Sequence, residues 1–476
     1  MSSSGPTATK NRSRNIGITP QQPPTLTPRG KDRCFGLEPL ERNLRICFRQ
    51  QSLEISFRKW RGSVMNRTMA VAFLILIVGH VGVATAQDRK FVDKLAENGL
   101  QLKMDGGRMT GGGADLLRSA LDGAQYVLIG EDHATSQIPA FTSAVCAILG
   151  PQGFHTMAVE AGPMAAAIVE RGIGRDDRRE RIAASEKKYP DSIAFFNLQE
   201  ELDMVTSCAR SAKGETFHLW GLDQEFMGST GMTMARILET HPQKNAAAAA
   251  QLILDENNAA AEKAAKSGNP GELLMMSAAD EEFARLSELL KKEGNADAQR
   301  LLRGLIVSRQ IYKDNMAAPG DSNRERALLM KQTFIQDYDG AAKGSRPKVL
   351  MKFGDWHLYK GFNPLQNNDI GNFMTELADG QGTKALHIII LPVKGTRLRF
   401  AGIGRPYSPE SFKMLDDNDY KFMQPFVEGA GSEGWTVFDL RKLRGEAISD
   451  LRLQRLVLGY DLLVLIPEAT PATQIR

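Results

Sequence analysis

The chain has 476 residues, of which 42% are hydrophobic and 24% charged, a composition typical of a globular protein with a sizeable core. Its formal net charge of +4 is unevenly spread, because residues 1–86 carry 13 Lys and Arg against 4 Asp and Glu. The rest of the chain holds 47 basic and 52 acidic groups. A mildly acidic body does not favour nucleic acid as a partner, so we expect none.

An apolar run from Met69 to Ala86 indicates a leader. The run ends in Ala-Thr-Ala, the small-x-small pattern that signal peptidase requires. Its uninterrupted apolar part, residues 70–78, is too short to cross about 30 Å of hydrocarbon as a helix. We predict a signal peptide over residues 65–86, a periplasmic or secreted mature chain and no stable membrane anchor after cleavage. The alternative is a single membrane anchor.

Residues 1–64 precede this leader and are rich in Ser, Pro, Arg and Gln, without sustained periodicity. A signal peptide should be N-terminal, and Met65 stands where a start would be expected. We therefore predict that residues 1–64 are a disordered or mis-assigned extension, with translation beginning at Met65.

Seven short apolar runs bounded by turn residues predict strands buried on both faces. Helical patterns over residues 136–149 and 197–212 separate some of these runs. Strand, helix and strand in repetition predict an α/β fold with a mainly parallel central sheet flanked by helices. The predicted strands are 126–130, 156–160, 216–223, 348–355, 386–393, 435–440 and 461–466.

Residues from about 230 to 342 form a predicted helical insertion within a single domain over residues 87–476. The segment contains an Ala-rich, helix-forming stretch. It also places Phe283, Leu286 and Leu289/Leu290 on one face at helical spacing. Either these helices form a lid over the carboxyl edge of the sheet or they are ordinary packing helices. The Gly-rich segment 106–115 is predicted to be a flexible loop before the first helix of the domain.

Two of the four cysteines, Cys146 and Cys208, follow the predicted cleavage site. In an oxidising compartment they would form one disulfide, and otherwise they would be two buried thiols. Neither lies in a motif with a nearby base, so a thiol nucleophile is disfavoured.

Polar side chains follow four of the predicted strands, and in open α/β sheets ligands bind outside the carboxyl ends of strands. Four coincident ends predict one shared site. A histidine close to carboxylates suits a general base that activates water, and two histidines with carboxylates could equally hold a divalent metal. The side chains are Glu131, Asp132, His133, Glu160, Asp223, Glu225, Asp355 and His357.

Several well-known catalytic strings are missing from the sequence. It contains no G-x-S-x-G, which disfavours a serine hydrolase, and no G-x-x-x-x-G-K-[ST], which excludes a P-loop enzyme. No H-E-x-x-H occurs. Of the other histidines, His218 and His387 lie in apolar strands and are predicted to be core or edge residues.

The order of the motifs LIGEDHATSQ, GFHTMAVE, WGLDQEF, NRERALLM and KFGDWHLYKG resembles the erythromycin esterase family. It is also similar to the wider group of ChaN-like haem-binding proteins and Tiki and TraB proteins. The resemblance covers roughly residues 110–470. In the esterase family the first motif usually continues H-G-x-x-E, whereas here Ala134 and Gln137 stand at the Gly and Glu positions. The resemblance therefore does not imply a macrolide substrate.

The resemblance implies roles for individual residues. His133 would be the general base for a hydrolytic water, with Glu131 and Glu160 as acidic partners and His357 as a second histidine facing the pocket. Arg326 and Met330 would match a helix that lines the cleft. The predicted catalytic set is Glu131, His133, Glu160 and His357, which would also be the ligands of any metal. The predicted substrate-binding set is Asp223, Arg326, Asp355 and Tyr359.

Two kinds of function follow. The first is an exported, esterase-like hydrolase that cleaves an ester, lactone or amide of a small molecule or peptide, with His357 stabilising the oxyanion or acting as the acid. The second is a ChaN-like haem- or metal-binding protein without turnover, or a Tiki/TraB-like metal-dependent peptidase. The cofactor is accordingly none, a divalent metal or haem. Trp356 and Tyr359 flank His357 and either stack on a flat ligand or pack in the core.

Overall fold

A computed structural model describes residues 90–341, 345–431 and 434–476. The predicted signal peptide and the extension before it lie outside the described residues, so both stay predictions. Among the described helices, none combines the length and the apolar character needed to cross a bilayer.

The described chain contains eleven strands, and each of the seven predicted runs forms one of them. The strands in chain order are β1 (Gly99–Asp105), β2 (Arg108–Thr110), β3 (Tyr126–Glu131), β4 (Thr156–Val159), β5 (His218–Gly221), β6 (Val349–Gly354), β7 (Ala385–Pro392), β8 (Lys394–Arg399), β9 (Ser408–Lys413), β10 (Trp435–Asp439) and β11 (Leu462–Ile466).

Nine of the described strands form one sheet in the order β2-β1-β10-β11-β7-β3-β6-β4-β5. The six strands from β11 to β5 are mutually parallel, whereas β10, β1 and β2 add antiparallel strands at one edge. Strands β8 and β9 form a separate antiparallel hairpin. The mainly parallel α/β fold predicted from the sequence is confirmed.

Helices cover both faces of this sheet. They are α1 (residues 90–98), α2 (Gly112–Leu121), α3 (Gln137–Leu149), α4 (Pro163–Gly172), α5 (Arg178–Lys188), α6 (Gln199–Ser211), α7 (Thr230–Leu238), α8 (Lys244–Ser267), α9 (Leu274–Ser277), α10 (Asp280–Lys292), α11 (Ala296–Ala317), α12 (Pro319–Ala341), α13 (Ile370–Gln381), α14 (Gln424–Gly429) and α15 (Leu451–Gly459).

Strand β3 shows how the sequence builds two cores. Its side chains alternate between the faces of the sheet, so Val127 and Ile129 belong to one apolar cluster, and Tyr126 and Leu128 belong to the other. Because helices cover both faces, all six residues of β3 are buried. This double burial explains the continuous apolar run, where a strand exposed on one face would show an alternating pattern.

Helices α7 to α12 lie between β5 and β6 in the chain. They have a small core of their own, to which α10 contributes Phe283, Leu286 and Leu290. The apolar face that the sequence predicted for α10 is therefore confirmed.

The Gly-rich segment 106–115 was wrongly predicted to be a loop. Arg108–Thr110 form edge strand β2, which pairs with β1, and α2 begins at Gly112. With three residues, β2 is too short to show a strand periodicity, and its flanking glycines obscured it.

Cys146 in α3 and Cys208 in α6, which are 62 residues apart in the sequence, form a disulfide. The two helices pack side by side, and both cysteines are buried. Of the two alternatives that the sequence left open, the structure contains the disulfide.

Candidate active site

The carboxyl ends of the parallel strands carry the predicted side chains to one place. Glu131 is the last residue of β3, and Glu160 directly follows β4. His357 lies in the single 3-10 turn Asp355–Leu358 that follows β6. Since β6 pairs with both β3 and β4, the ends of these strands are neighbours in space. The shared site predicted from strand ends therefore has a geometric basis.

His133 lies between two carboxylates. Its Nδ1 is 2.9 Å from Oε1 of Glu131, and its Nε2 is 3.5 Å from Oε2 of Glu160. Burial acts to lower the pKa of His133, but the hydrogen bond to Glu131 and the charges of both carboxylates raise it to about 9. The imidazole is thus held in one orientation, with Nδ1 donating to Glu131 and Nε2 directed towards Glu160.

The His133 ring is the solvent-facing part of this cluster. Its side chain is 32% exposed, whereas Glu131 is 4% and Glu160 is 7% exposed. Phe195, whose backbone has a φ of 64°, packs on the ring with centroids 4.4 Å apart. His133 also lines a cavity of about 450 Å³, so a ligand can approach its side chain while the two carboxylates remain sheltered.

Arg326, on α12, connects the other predicted residues. Its Nε donates to Asp223 at 2.8 Å, and its Nη2 donates to Asp223 and, at 2.7 Å, to Glu160. Its Nη1 lies 3.0 Å from Nε2 of His357. Burial acts to raise the pKa of Glu160, but the positive charges around it, which include the Arg326 guanidinium, hold the pKa well below its usual range. A buried carboxylate is therefore kept charged by a fixed cation.

His357 is held from both sides of its ring. Its Nδ1 is 2.8 Å from Oδ2 of Asp369, and its Nε2 faces the Arg326 guanidinium. Because a guanidinium can only donate, Nε2 is the acceptor and Nδ1 carries the proton. Asp369 is positioned in turn by the backbone N–H of Ile370, 2.7 Å away, at the start of α13. No local pattern in the sequence indicates Asp369, which lies 12 residues beyond His357.

The sequence reasoning also missed a buried lysine. Lys352, in the middle of β6, is 4% exposed and its Nζ donates to Oε1 of Glu131 at 2.5 Å. The same Nζ is 2.8 and 3.0 Å from the two carboxylate oxygens of Glu201 on α6. Burial raises the pKa of Glu201 to about 7, against the lowering effect of Lys352. Lys352 could have been recognised from the sequence, because it is the one charged residue in the apolar run VLMKFG.

Two predicted substrate-binding residues lie deeper in the fold. Asp355 is buried and accepts a hydrogen bond from the Tyr420 hydroxyl at 3.0 Å, and burial raises the pKa of its carboxyl to about 7. Tyr359 is 3% exposed and packs edge to face against Tyr460, with ring centroids 4.9 Å apart. Of the two sequence interpretations of Tyr359, the structure favours core packing. Their roles in substrate binding stay predictions.

Glu225, another strand-end carboxylate, is hydrogen-bonded to the start of a helix. It accepts a hydrogen bond of 2.8 Å from the backbone N–H of Met164 at the start of α4. Glu225 therefore stabilises the N-terminus of α4, where a negative charge is favourable.

The hairpin β8–β9 forms one wall of the open side. Arg397 on β8 donates from Nη1 to both carboxylate oxygens of Asp132 at 3.0 Å. A second cavity of about 660 Å³ lies on the other side of this ion pair, and both cavities are lined by Asp132, Arg397 and Glu410. The pair therefore stands between the space at His133 and a larger neighbouring space.

The predicted catalytic set does not suit a divalent metal. Among the described residues, no three His, Cys, Asp or Glu side chains are grouped so as to hold an ion. The Glu131 carboxylate is occupied by Lys352 and His133, and Arg326 lies where an ion bound by Glu160 and His357 would have to be. A second cation beside the guanidinium would be repelled.

His357 and Tyr359, the two side chains of this region that could serve as axial ligands of a haem, are no more available. Both ring nitrogens of His357 are engaged, by Asp369 and by Arg326. Tyr359 is buried in the core. An axial ligand needs a free donor atom facing the pocket, and neither side chain provides one.

What the cluster can do chemically is move a proton and stabilise negative charge. A histidine oriented by one carboxylate can accept a proton at its other nitrogen. Of the five N–H donors of Arg326, four are taken by Asp223, Glu160 and His357 among the described residues, which leaves one on Nη1 for a ligand oxygen.

Three solved structures are similar to this chain. They are a Bacillus cereus protein (TM-score 0.52, 16% identity, 82% of this chain and 99% of that one), a succinoglycan biosynthesis protein (0.50, 15%, 82% and 98%) and a mutant of the erythromycin esterase EreC in its open conformation (0.50, 16%, 76% and 95%). No protein-family model and no curated protein matches the sequence. At these identities the likeness shows a shared fold, including that of an erythromycin esterase.

Proposed function

We propose that the chain is a hydrolase that cleaves an ester, lactone or amide with water activated by His133. The observation that carries this proposal is the dyad of Glu131 and His133, joined by a bond of 2.9 Å at Nδ1, whose histidine lines a cavity. A dyad with this geometry is the general-base unit that activates a nucleophile in many hydrolases. The fold shared with an erythromycin esterase supports the same reaction class.

The proposed reaction proceeds in two steps. In the first, Nε2 of His133 takes a proton from water, whose oxygen attacks the substrate carbonyl carbon and forms a tetrahedral oxyanion. The free N–H of Arg326 stabilises this oxyanion, and Glu131 stabilises the imidazolium. In the second step the carbon–oxygen or carbon–nitrogen bond breaks, and His133 returns its proton to the leaving group.

The chain's own cations take the part that a metal would play. Arg326 supplies positive charge at the carbonyl, and Lys352 supplies it behind Glu131. We therefore propose a reaction without a metal cofactor, and incubation with EDTA followed by gel filtration should leave turnover unchanged. Loss of turnover that added Zn²⁺ or Mn²⁺ restores would contradict this part.

A polar small molecule is the substrate class we favour. The two adjoining cavities, of about 450 and 660 Å³, are of the size that takes a small ligand. Charged side chains such as Lys394, Arg397 and Glu410 line the larger one. We also propose that the protein acts outside the cytoplasm, since the predicted leader and the disulfide of the described chain agree with export.

The test uses residues 87–476 and a panel of p-nitrophenyl esters, lactones and anilides. His133→Asn should lower kcat/KM by about 1000-fold or more against any substrate that is turned over. His218→Asn is the matched control, because His218 is exposed at the opposite end of β5, and it should leave turnover unchanged. Turnover that survives His133→Asn, or a haem-dependent Soret band lost in His357→Ala without turnover, would refute the proposal.

A further inference from the structure

Lys352 is a charged residue in the middle of a buried strand. All six residues of β6 are buried, and the strand lies in the interior of the sheet between β3 and β4. Its other side chains are apolar, or absent in the case of Gly354. A lysine here pays a large desolvation cost, so it persists only because both neighbouring carboxylates hydrogen-bond to it.

The lysine joins the base to the helical layer through an unbroken chain of contacts. His133 Nδ1 and Lys352 Nζ both bind the same oxygen of Glu131, Oε1. Nζ of Lys352 also donates to both carboxylate oxygens of Glu201, at 2.8 and 3.0 Å. Glu201 lies on α6, the helix that the disulfide fastens to α3. The carboxylate that orients the base is thus fixed from behind by a residue on a rigid element.

We propose that Lys352 and Glu201 are positioning residues for the base, acting through Glu131. Lys352 holds the Glu131 carboxylate charged and turned so that Oε1 meets Nδ1 of His133, and Glu201 holds Lys352 in place. This inference rests on the proposed function, since it concerns the group that activates water. Neither residue touches the cavity at His133.

A merely structural ion pair would behave differently. Buried ion pairs contribute little net stability, and replacing both partners with apolar residues of similar volume is often neutral or stabilising. A pair that served only to hold β6 against α6 could therefore be exchanged for Met and Leu without consequence. A pair that positions Glu131 could not, because the carboxylate would lose the cation that fixes it.

The experiment is the double variant Lys352→Met/Glu201→Leu, compared with wild type and with His133→Asn. We expect a cooperative melting curve close to wild type, a kcat reduced about 10- to 100-fold and a KM changed less than about twofold. A kcat equal to wild type, with His133→Asn inactive, would overturn the positioning role and leave the proposed function intact. Full activity of His133→Asn would instead remove the proposed function.

The pH profile gives a second readout that a structural role would not move. The positive charge of Lys352 lowers the pKa of His133, so Lys352→Met should shift the ascending limb of the kcat/KM profile to higher pH. Glu201→Gln leaves the charge of Lys352 less neutralised and should shift the same ascending limb to lower pH. Shifts in the same direction, or none, would overturn the inference. The charged groups that act on His133 and Glu131 are Lys352, Glu201, Glu160, Asp132 and Asp355.

Discussion

Arg326 and His357 lie 3.0 Å apart, from Nη1 to Nε2, and the guanidinium is the donor. The other ring nitrogen of His357 is held by Asp369. A ring nitrogen that accepts a hydrogen bond has no proton to give to a leaving group. In this arrangement we therefore expect His357 to act through Arg326, by orienting the guanidinium towards the substrate oxygen, and the acid is then His133 in its protonated form.

This arrangement predicts a difference between two substitutions. Arg326→Lys keeps the charge but loses the planar fork that binds Asp223, Glu160 and His357 together, so kcat should fall by about 100-fold or more. His357→Gln keeps an acceptor for Nη1 and should cost about tenfold or less. Steady-state kinetics on one ester measure both. A larger loss for His357→Gln than for Arg326→Lys would show that the histidine itself meets the substrate.

The pKa of His133 predicts an alkaline rise in activity. A base works in its neutral form, and in the free protein that form becomes dominant only above the pKa of about 9. Since kcat/KM reports the free enzyme, it should rise about tenfold per pH unit below 9 and level off above it. A profile that is flat or falls between pH 7 and 9 would contradict this assignment.

A single substitution tests the cause of that shift. The negative charge of Glu160 raises the pKa of His133, so Glu160→Gln should move the rise in kcat/KM to lower pH. Glu225→Gln is the control, because this buried carboxylate binds the start of α4 and should leave the limb in place.

The architecture could be predicted because a strand that is buried on both faces has a continuous apolar sequence. Strands such as Tyr126–Glu131 and Val349–Gly354 are continuous apolar runs, and each ends at the residue where the polar site begins. The short edge strand β2 and the hairpin β8–β9 have no such continuous apolar run. Arg108–Thr110 has three residues, and most of Lys394–Arg399 is polar and only partly buried.

The candidate site was predictable as a set of strand ends, since parallel strands deliver their carboxyl ends to one edge. Its supporting residues were not. Lys352, Glu201 and Asp369 are defined by pairings across different elements, which no local pattern encodes. Tyr359, two residues from His357, was near the site in sequence but turns into the core. Adjacency in the chain indicates little where a 3-10 turn redirects each side chain.

The disulfide makes a prediction about stability. It closes 62 residues between α3 and α6, and loop-closure entropy for that length corresponds to about 4 kcal/mol. Cys146→Ala/Cys208→Ala should therefore lower the free energy of unfolding by about 2 to 4 kcal/mol, measured by urea denaturation. Dithiothreitol should destabilise wild type by a similar amount and leave the double variant unchanged. An equal effect of the reductant on both proteins would contradict the disulfide.

Gly354 allows the site to be tested without changing any charge. A Cβ at this position would lie 2.9 Å from Nε2 of His133 and 3.1 Å from Oε2 of Glu160, in the space between the base and its neighbour. Its φ of −52° is accessible to alanine, so Gly354→Ala needs no backbone strain. The methyl group would displace the imidazole from the position at which it meets water.

We therefore expect Gly354→Ala to lower kcat about 100-fold with a melting curve near that of wild type, because a misplacement of about 1 Å costs that much. Gly380→Ala is the matched control, since a Cβ there meets nothing within 4 Å on the exposed side of α13, and it should leave kcat unchanged. If Gly354→Ala were fully active, Nε2 of His133 would not be the atom that activates water.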